Sequence, residues 1–483
     1  MQTELLIDNQ ARAASSNATF ERLHPTSGDV VTRAAAGTVQ DAVAAADSAS
    51  VAYQSWKNSP PSERRRILLK AADALESRVG AFIEAMAAEV GASALWAGFN
   101  VHLAANLFRE AASLATQIQG ETIPTDKPGT LSMTVRQPVG VILSIVPWNG
   151  PVVLAARAIA YPIVCGNTVV FRASESSPKT HMLVAEALVE AGLPAGVLNV
   201  VTNDPKDAAD VIDALISHKA VRRINFTGST RVGRIIAQKA AVHLKRCLLE
   251  LGGKSPLVVL DDADIDGAVN SAVFGSFLYQ GQICMSTERI IVDEKIADEF
   301  VRKFAERANA LPAGDPTQTP SCVIGPMVSR DSGPRLNALI DDALSKGAKL
   351  ACGGHANGAV MPATIVDHVK SGMKIYDEET FGPITTVVRV NGDKEAVAIA
   401  NDTAYGLSSA VFGRDVSRAL QVALQIETGA CHVNGSTVSN EAQAPYGGTK
   451  DSGYGRFDGR AVIDEFTELK WITLEPASQQ YPV

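Results

Sequence analysis

Cysteine is scarce: six thiols occur in 483 residues, at positions 165, 247, 284, 322, 352 and 431. No two are spaced C-x-x-C, which argues against a structural zinc site or a redox dithiol. So thin a supply in so long a chain fits a reduced compartment, and the protein is expected to be cytoplasmic. Basic clusters are equally sparse. The formal net charge is -8, and no Lys/Arg patch suggests nucleic-acid binding. The one dense basic run, SERRR at 62–66, opens a helical pattern and reads as a solvated first turn. Long apolar runs are missing too. The most apolar region, 139–171, is interrupted by Pro147, Asn149, Gly150, Pro151, Arg157 and Pro162, so it reads as buried core and no membrane association is expected. The start, MQTELLIDNQAR, lacks the basic segment of a signal peptide. Fixed-period repeats and low-complexity tracts are absent as well.

What is present is ordinary globular composition, 46% hydrophobic and 20% charged, in a length that allows two or three domains. From Ser62 to Gly91, apolar residues recur at steps of three and four (Ile67, Leu68, Ala71, Ala72, Leu75, Val79, Phe82, Ile83, Met86, Val90). This is one helix face, or two helices meeting near Gly80. After residue 138 short β-branched runs alternate with helical stretches. VGVILSIVPW precedes a helix from about Pro151, NTVVFRAS one after Pro178, and RRINFTGS one from about Thr230, with VLNVVT between. That order predicts an α/β fold with a parallel sheet covered on both faces. A second alternating region runs from PLVVLDDAD (256–264) through RIIVDE, TTVVRV, SSAVFG and CHVNGS, and ELGGKSP (250–256) is a plausible hinge between the units. Segments 119–138 and 466–476 look strand-like and belong to neither unit.

Chemistry gathers at a few points. Cys284, in GQICMSTERI, is either a buried core thiol or a nucleophile needing an activating environment, and the nearest histidines in sequence are the distant His243 and His355. FTGSTRVG (226–233) follows a strand and opens a helix. Gly228 would permit a tight turn there, and the helix-start N–H groups could meet a pyrophosphate. The spacing G-x-x-x-x-G is not the strict dinucleotide fingerprint, so a plain βα turn remains an alternative. FRASESSP (171–178) ends another strand, placing Arg172 and Glu175 at the sheet's carboxyl edge. A carboxylate there can bind ribose hydroxyls and would repel a 2′-phosphate, favouring NAD over NADP, unless the loop is merely solvated.

Taken in order, VPWNGP (146–151), FTGSTRVG, LELGGKSP (249–256), GQICMSTER (281–289), EETFGP (378–383) and PYGGTKDSGYGR (445–456) resemble the aldehyde dehydrogenase superfamily along nearly the whole chain. EVGASALWAGFNV and APYGGTKDSGYGRFDGRAVIDEFTE are most similar to members that oxidise salicylaldehyde in naphthalene degradation. The resemblance implies a Rossmann-type NAD-binding domain (1–118 and 139–251), an α/β catalytic domain (252–440) and a small β oligomerisation element (119–138 and 466–483). It also implies a homodimer or a dimer of dimers. By resemblance Cys284 is the nucleophile, Glu250 the base that activates the deacylating water, and Asn149 the oxyanion donor together with the Cys284 N–H. Trp148, Arg172, Glu175, Gly228, Ser229, Glu379 and Phe381 fall at cofactor-contacting positions. Arg172 stands where lysine is frequent and Arg231 where glutamate is frequent; the latter has no functional account. Gly150 follows the asparagine where many members carry an aromatic residue.

A helix running on from Pro151 puts Gly150, Leu154 and Arg157 on one face beside Asn149. That face is expected to line the substrate tunnel, with Trp96, Val438 and Tyr446 completing an aromatic wall by resemblance. Gly150 leaves room for a ring. Arg157 would meet a phenolate, an ortho-hydroxyl or a carboxylate, or else form a structural salt bridge. The expected reaction is NAD-dependent oxidation of an aromatic aldehyde, most simply salicylaldehyde, to its carboxylate. The competing readings are a benzaldehyde or semialdehyde dehydrogenase, a CoA-acylating member (against which Glu250 argues), a thiol-dependent esterase and a non-catalytic paralogue.

Overall fold

The computed structural model describes residues 1–478 and Tyr481; of the 466–483 segment, residues 479, 480, 482 and 483 lie outside the described residues. The chain builds two large sheets, a smaller ribbon, a three-stranded N-terminal sheet and a two-stranded pair. The first sheet has eight strands in the order Gly453–Tyr454, Arg246–Glu250, Val221–Thr227, Val141–Ile145, Thr168–Arg172, Leu198–Val201, Leu5–Ile7, Gln10–Arg12. Its five central strands are parallel. VILSI and TVVFR are buried at every position, as a sheet covered on both faces requires. From Val141–Ile145 the chain builds outward through Thr168–Arg172 to Leu198–Val201, then returns to add Val221–Thr227 on the other side. The crevice at such a reversal is where open α/β sheets take ligands.

The second sheet has seven strands, drawn from residues 256–433. All its pairings are parallel except the antiparallel edge pair Lys349–Cys352 with Thr364–Asp367. The ribbon pairs Thr467–Leu474 with Leu131–Pro138 along their full length, Thr467 opposite Pro138 and Leu474 opposite Leu131, and Thr122–Ile123 adds a short third strand. Among the described residues no helix is long and apolar enough to cross a membrane.

The helix Pro151–Val164 packs between the first sheet and the N-terminal helices and is buried at every residue. Pro151 at its first turn needs no N–H partner. Pro162 near its end lacks the N–H that would bond the Ala158 carbonyl. That carbonyl instead accepts from Ser144 Oγ at 2.9 Å and Asn225 Nδ2 at 3.3 Å, tying the helix to two sheet strands. The helices expected after Pro178 and from Thr230 run Pro178–Glu190 and Thr230–Val242. The 62–91 pattern is two helices, Pro61–Ser77 and Val79–Val90, which meet at Arg78.

The basic run is the solvated first turn expected of it at Ser62, Arg65 and Arg66, but not at Arg64. Arg64 is buried and donates to Ser59 Oγ and to the carbonyls of Val164 and Lys57. Its long stem lies along apolar surface, and the guanidinium satisfies carbonyls at helix ends that water cannot reach. Glu89, fully buried, plays the reverse role. It accepts from Thr32 Oγ1 (2.8 Å), Lys179 N (2.9 Å), Thr180 N (3.0 Å) and Thr180 Oγ1 (2.7 Å), joining one helix to the N-terminus of another. Burial pushes its pKa up and these hydrogen bonds oppose the rise. Glu89→Ala is therefore expected to cost about 3 kcal/mol, because orphaned buried donors cost about 1–3 kcal/mol each. An unchanged denaturation midpoint would show that the cap contributes nothing.

Candidate active site

Cys284 sits on a turn whose path is set by three successive left-handed residues, Tyr279 (φ 48°), Gln280 (φ 54°) and Gly281 (φ 68°). For non-glycine residues this conformation costs roughly 1–2 kcal/mol each, so neighbours must hold it. Tyr279 Oη donates to the Val90 carbonyl, and its ring stacks on Trp96 with centroids 5.0 Å apart. Gln280 Nε2 donates to the Pro326 carbonyl at 2.9 Å. A Cβ at Gly281 would lie 2.1 Å from the Gly382 carbonyl oxygen, so no other residue fits. The turn closes through Ser286 N to Ile283 O, 2.8 Å.

Asn149 leaves the strand Val141–Ile145 just before the buried helix. Its backbone carbonyl accepts from Trp96 Nε1 (3.1 Å), and its Nδ2 donates to Gln282 O (3.0 Å), which fixes the amide toward the cysteine turn. Glu250 ends the strand Arg246–Glu250 and is 1% exposed. Between them comes a group the sequence reading had placed only in the pocket wall. The Tyr446 hydroxyl lies 3.1 Å from Cys284 Sγ and donates to Glu250 Oε1 at 3.2 Å. Burial, reinforced by the Glu250 charge, pushes the Cys284 thiol well above its ordinary value. Burial also raises Glu250, with the Arg157 charge opposing. The resting thiol therefore keeps its proton at neutral pH.

Two cavities meet at this sulfur. One, about 290 Å³, opens at the carboxyl ends of the first sheet's strands and is lined by Trp148, Asn149, Gly228, Ser229, Glu250, Cys284, Glu379 and Phe381 among others. Ser229 caps the helix Thr230–Val242 by accepting from Val232 N. Gly228 is needed for space rather than for the turn expected of it. Its φ is not left-handed, but a Cβ would strike the Phe226 ring at 2.5 Å. Glu379 accepts from Gly253 N at 2.8 Å, and burial beside Glu288 pushes its pKa up to about 8. The left-handed Phe381 (φ 47°) stands edge-on to Trp148. Its N–H and that of Thr380 donate to Glu288, which pairs with the fully buried Lys254 at 2.8 Å. Arg172 and Glu175 lie outside this lining. They pair with each other at 2.8 Å, and Arg172 Nε also donates to Asn203. Arg231 is exposed in the first turn of its helix.

The second cavity, about 280 Å³, is lined by Trp96, Gly150, Leu154, Arg157, Val438 and Tyr446, with Phe99, Phe274 and Met285 added. Gly150 has Asn100 Oδ1 and Leu154 as the nearest atoms to a built Cβ, at 3.5 Å or more, so a side chain there would fill the cavity. Arg157 reaches the cavity with its charge already answered. Nε and Nη2 donate to Asp458 at 3.1 and 2.9 Å, Nη2 also donates to Asn440, and the guanidinium lies over the Tyr446 ring at 4.3 Å. This is the structural pairing held open above. Its partner is 301 residues away, beyond the reach of any local motif.

Comparison with known proteins places residues 12–472 in the aldehyde dehydrogenase family, and the chain belongs to that family. Salicylaldehyde dehydrogenase of Pseudomonas putida is 70% identical over 482 residues, covering all of both chains. Vanillin dehydrogenase of Pseudomonas fluorescens is 53% identical over 479 residues, 99% of each. The solved structure of a salicylaldehyde dehydrogenase from Pseudomonas putida G7, complexed with salicylaldehyde, superposes with a TM-score of 0.99 at 69% identity over the whole of both chains.

The Arg157–Asp458 pair yields a direct test. Removing one partner of a buried pair leaves an uncompensated charge, costing about 3–5 kcal/mol. Asp458→Ala is expected to lose that much stability, and Asp458→Leu combined with Arg157→Leu less than the sum of the single changes. Strict additivity in urea unfolding would mean that the two side chains do not act together.

Proposed function

We propose that this aldehyde dehydrogenase oxidises an aromatic aldehyde, salicylaldehyde foremost, to its carboxylate with NAD, through a covalent adduct on Cys284. The observation carrying this reading is the meeting of two cavities at one sulfur, one at the sheet's switch point and the other walled by aromatic and apolar side chains. The full-length likeness to enzymes named for salicylaldehyde supports the substrate.

The residues of the first cavity fit a dinucleotide. Gly228 and Ser229 bring a helix start to the switch point, and a helix N-terminus suits a pyrophosphate. Gly252 and Gly253 keep the floor bare, since a Cβ at Gly252 would meet the Glu379 carboxylate at 2.7 Å. Trp148 and Phe381 supply flat apolar surface for a ring, and Glu379 a carboxylate for ribose hydroxyls. Bound NAD supplies the hydride acceptor, and the carbon that loses hydride stays on sulfur as a thioester.

The chain's own groups do the rest. Sulfur adds to the aldehyde carbon. The Asn149 amide, already oriented by Gln282, and the Cys284 N–H stabilise the oxyanion, each contributing about 2.7–4 kcal/mol in a dry site. Glu250, one of whose oxygens has no hydrogen-bond partner, takes a proton from the water that hydrolyses the thioester. Arg157 acts on the substrate as part of the wall and not as a free cation. The enzyme is cytoplasmic and assembles as a homodimer or a dimer of dimers through the ribbon, whose Leu131, Leu469, Trp471 and Leu474 are exposed in the single chain.

Cys284→Ala is expected to abolish NADH formation from salicylaldehyde while NAD still quenches protein fluorescence. Glu250→Gln should release a burst of about one NADH per site and then stall. Because Glu250 must be ionised and burial raises its pKa, wild-type turnover should decline on acidification at a higher pH than an ordinary carboxylate would impose. Steady turnover by either variant would remove that residue from its role. A panel with succinic semialdehyde in place of aromatic aldehydes tests the substrate class.

The cofactor preference is checked separately. A 2′-phosphate near Glu175 would meet a carboxylate already paired with Arg172, so kcat/KM should favour NAD over NADP by at least about tenfold, and Glu175→Gln should narrow the gap. Equal efficiencies in the wild type would refute the assignment.

A further inference from the structure

A tyrosine ring in the pocket wall needs no hydroxyl; phenylalanine would present the same face. A buried hydroxyl normally finds a hydrogen-bond partner, and the Tyr446 hydroxyl has two, the reactive sulfur and the reactive carboxylate. We propose that the Tyr446 hydroxyl is a catalytic proton relay. It passes the Cys284 proton to Glu250 as sulfur attacks, and returns a proton to sulfur when the thioester is hydrolysed. The inference rests on the reading of Cys284 as nucleophile and Glu250 as base.

The donor order suits the forward direction. Tyr446 Oη donates to Glu250 Oε1 at 3.2 Å, which leaves its lone pairs to accept the thiol proton across 3.1 Å. During addition the S–H bond breaks and its proton joins the Tyr446 oxygen. The phenolic proton moves to Glu250, the S–C bond forms, and the carbonyl π pair becomes the oxyanion. No electron leaves the system in this step. Glu250 then yields its proton to solvent, one of those the overall oxidation releases. In hydrolysis the water proton goes to Glu250, and the relay delivers a proton to the departing sulfur. Tyr446 is 6% and Glu250 1% exposed, so the relay groups are held within the walls of the two cavities.

The surrounding charges favour this path. The Arg157 guanidinium over the ring at 4.3 Å stabilises negative charge building on the phenolic oxygen. Asp458, at 2.9 Å behind Arg157, holds that cation in place and offsets part of its field. Tyr161 lies close to Asp458, Glu379 shares the first cavity with Glu250, and Glu441 lines the second cavity with Tyr446. Burial and the Glu250 charge both disfavour an isolated thiolate. Transferring the proton to Glu250 removes the second obstacle while it ionises the sulfur.

The experiment reads the thiol directly. Iodoacetamide alkylation of Cys284, located by peptide mass spectrometry among the six cysteines, is followed against pH in the full-length enzyme. Tyr446→Phe keeps the ring and is expected to slow alkylation at neutral pH by at least about tenfold, with the profile displaced upward. Glu250→Gln should do the same, and the double variant no more than either single one. The sign is the discriminating feature. A carboxylate acting through its charge alone would make the thiol more reactive when removed, so faster alkylation in Glu250→Gln overturns the relay. A wild-type profile in Tyr446→Phe overturns it too. If Tyr446→Phe does not fold, Tyr446→Leu replaces it, and a wild-type profile in that variant overturns the relay. If Cys284→Ala still forms NADH, the functional reading fails and the relay fails with it, whatever the alkylation profile records.

Discussion

A half-buried thiol and a buried carboxylate set side by side oppose each other's ionisation, and the site is arranged around that opposition. Three acidic groups, Cys284, Glu250 and Asp458, surround one guanidinium, Arg157. Arg157 balances Asp458 through two hydrogen bonds and reaches Glu250 only through space. A negative charge on sulfur in addition to these would be uncompensated in a region of low dielectric. Burial therefore raises the thiol and both carboxylates together, with the Arg157 charge opposing in each case.

The fold brings these groups together from strand ends. Glu250 ends a strand of the first sheet, and Asn149 follows another by a short loop, on the side where the strand order reverses. Cys284 arrives from the second unit on a turn locked by left-handed residues. Gly253 allows the two units to touch, since a Cβ there would lie 2.4 Å from the Cys284 carbonyl oxygen. Arg157 rides on a helix buried all round, which keeps it at fixed depth. Arg157 and Glu250 are thus held by rigid elements and not by loops.

Much of this was legible in the sequence because its signals are local. The helices beginning at Pro151 and Thr230 follow a strand and a turn residue, and period-two and period-3.6 patterns separate cleanly around them. Gly150, Leu154 and Arg157 share a wall because helical geometry puts them on one face. What escaped was non-local. Nothing near Arg157 names Asp458, and nothing near Tyr446 reveals that its hydroxyl falls between Cys284 and Glu250. Arg64 looked solvated because a charge run carries no record of the carbonyls above it. Gly228 looked like a turn glycine because a clash with Phe226 is invisible without coordinates. The short antiparallel strands Leu5–Ile7 and Gly453–Tyr454 are too brief for a periodic signal, yet they extend or close the first sheet.

Gly453–Tyr454 also bears on the order of assembly during synthesis. Its pairing partners are Leu249 and Glu250, so the strand that carries the carboxylate gains its outer neighbour only after some two hundred further residues have been made. Tyr446 and Asp458 come from the same late stretch. A nascent chain emerging from the ribosome thus carries Arg157, Glu250 and Cys284 long before it carries Tyr446 and Asp458. The cluster around Cys284 is therefore complete only once the last tenth of the chain has folded back onto the first sheet.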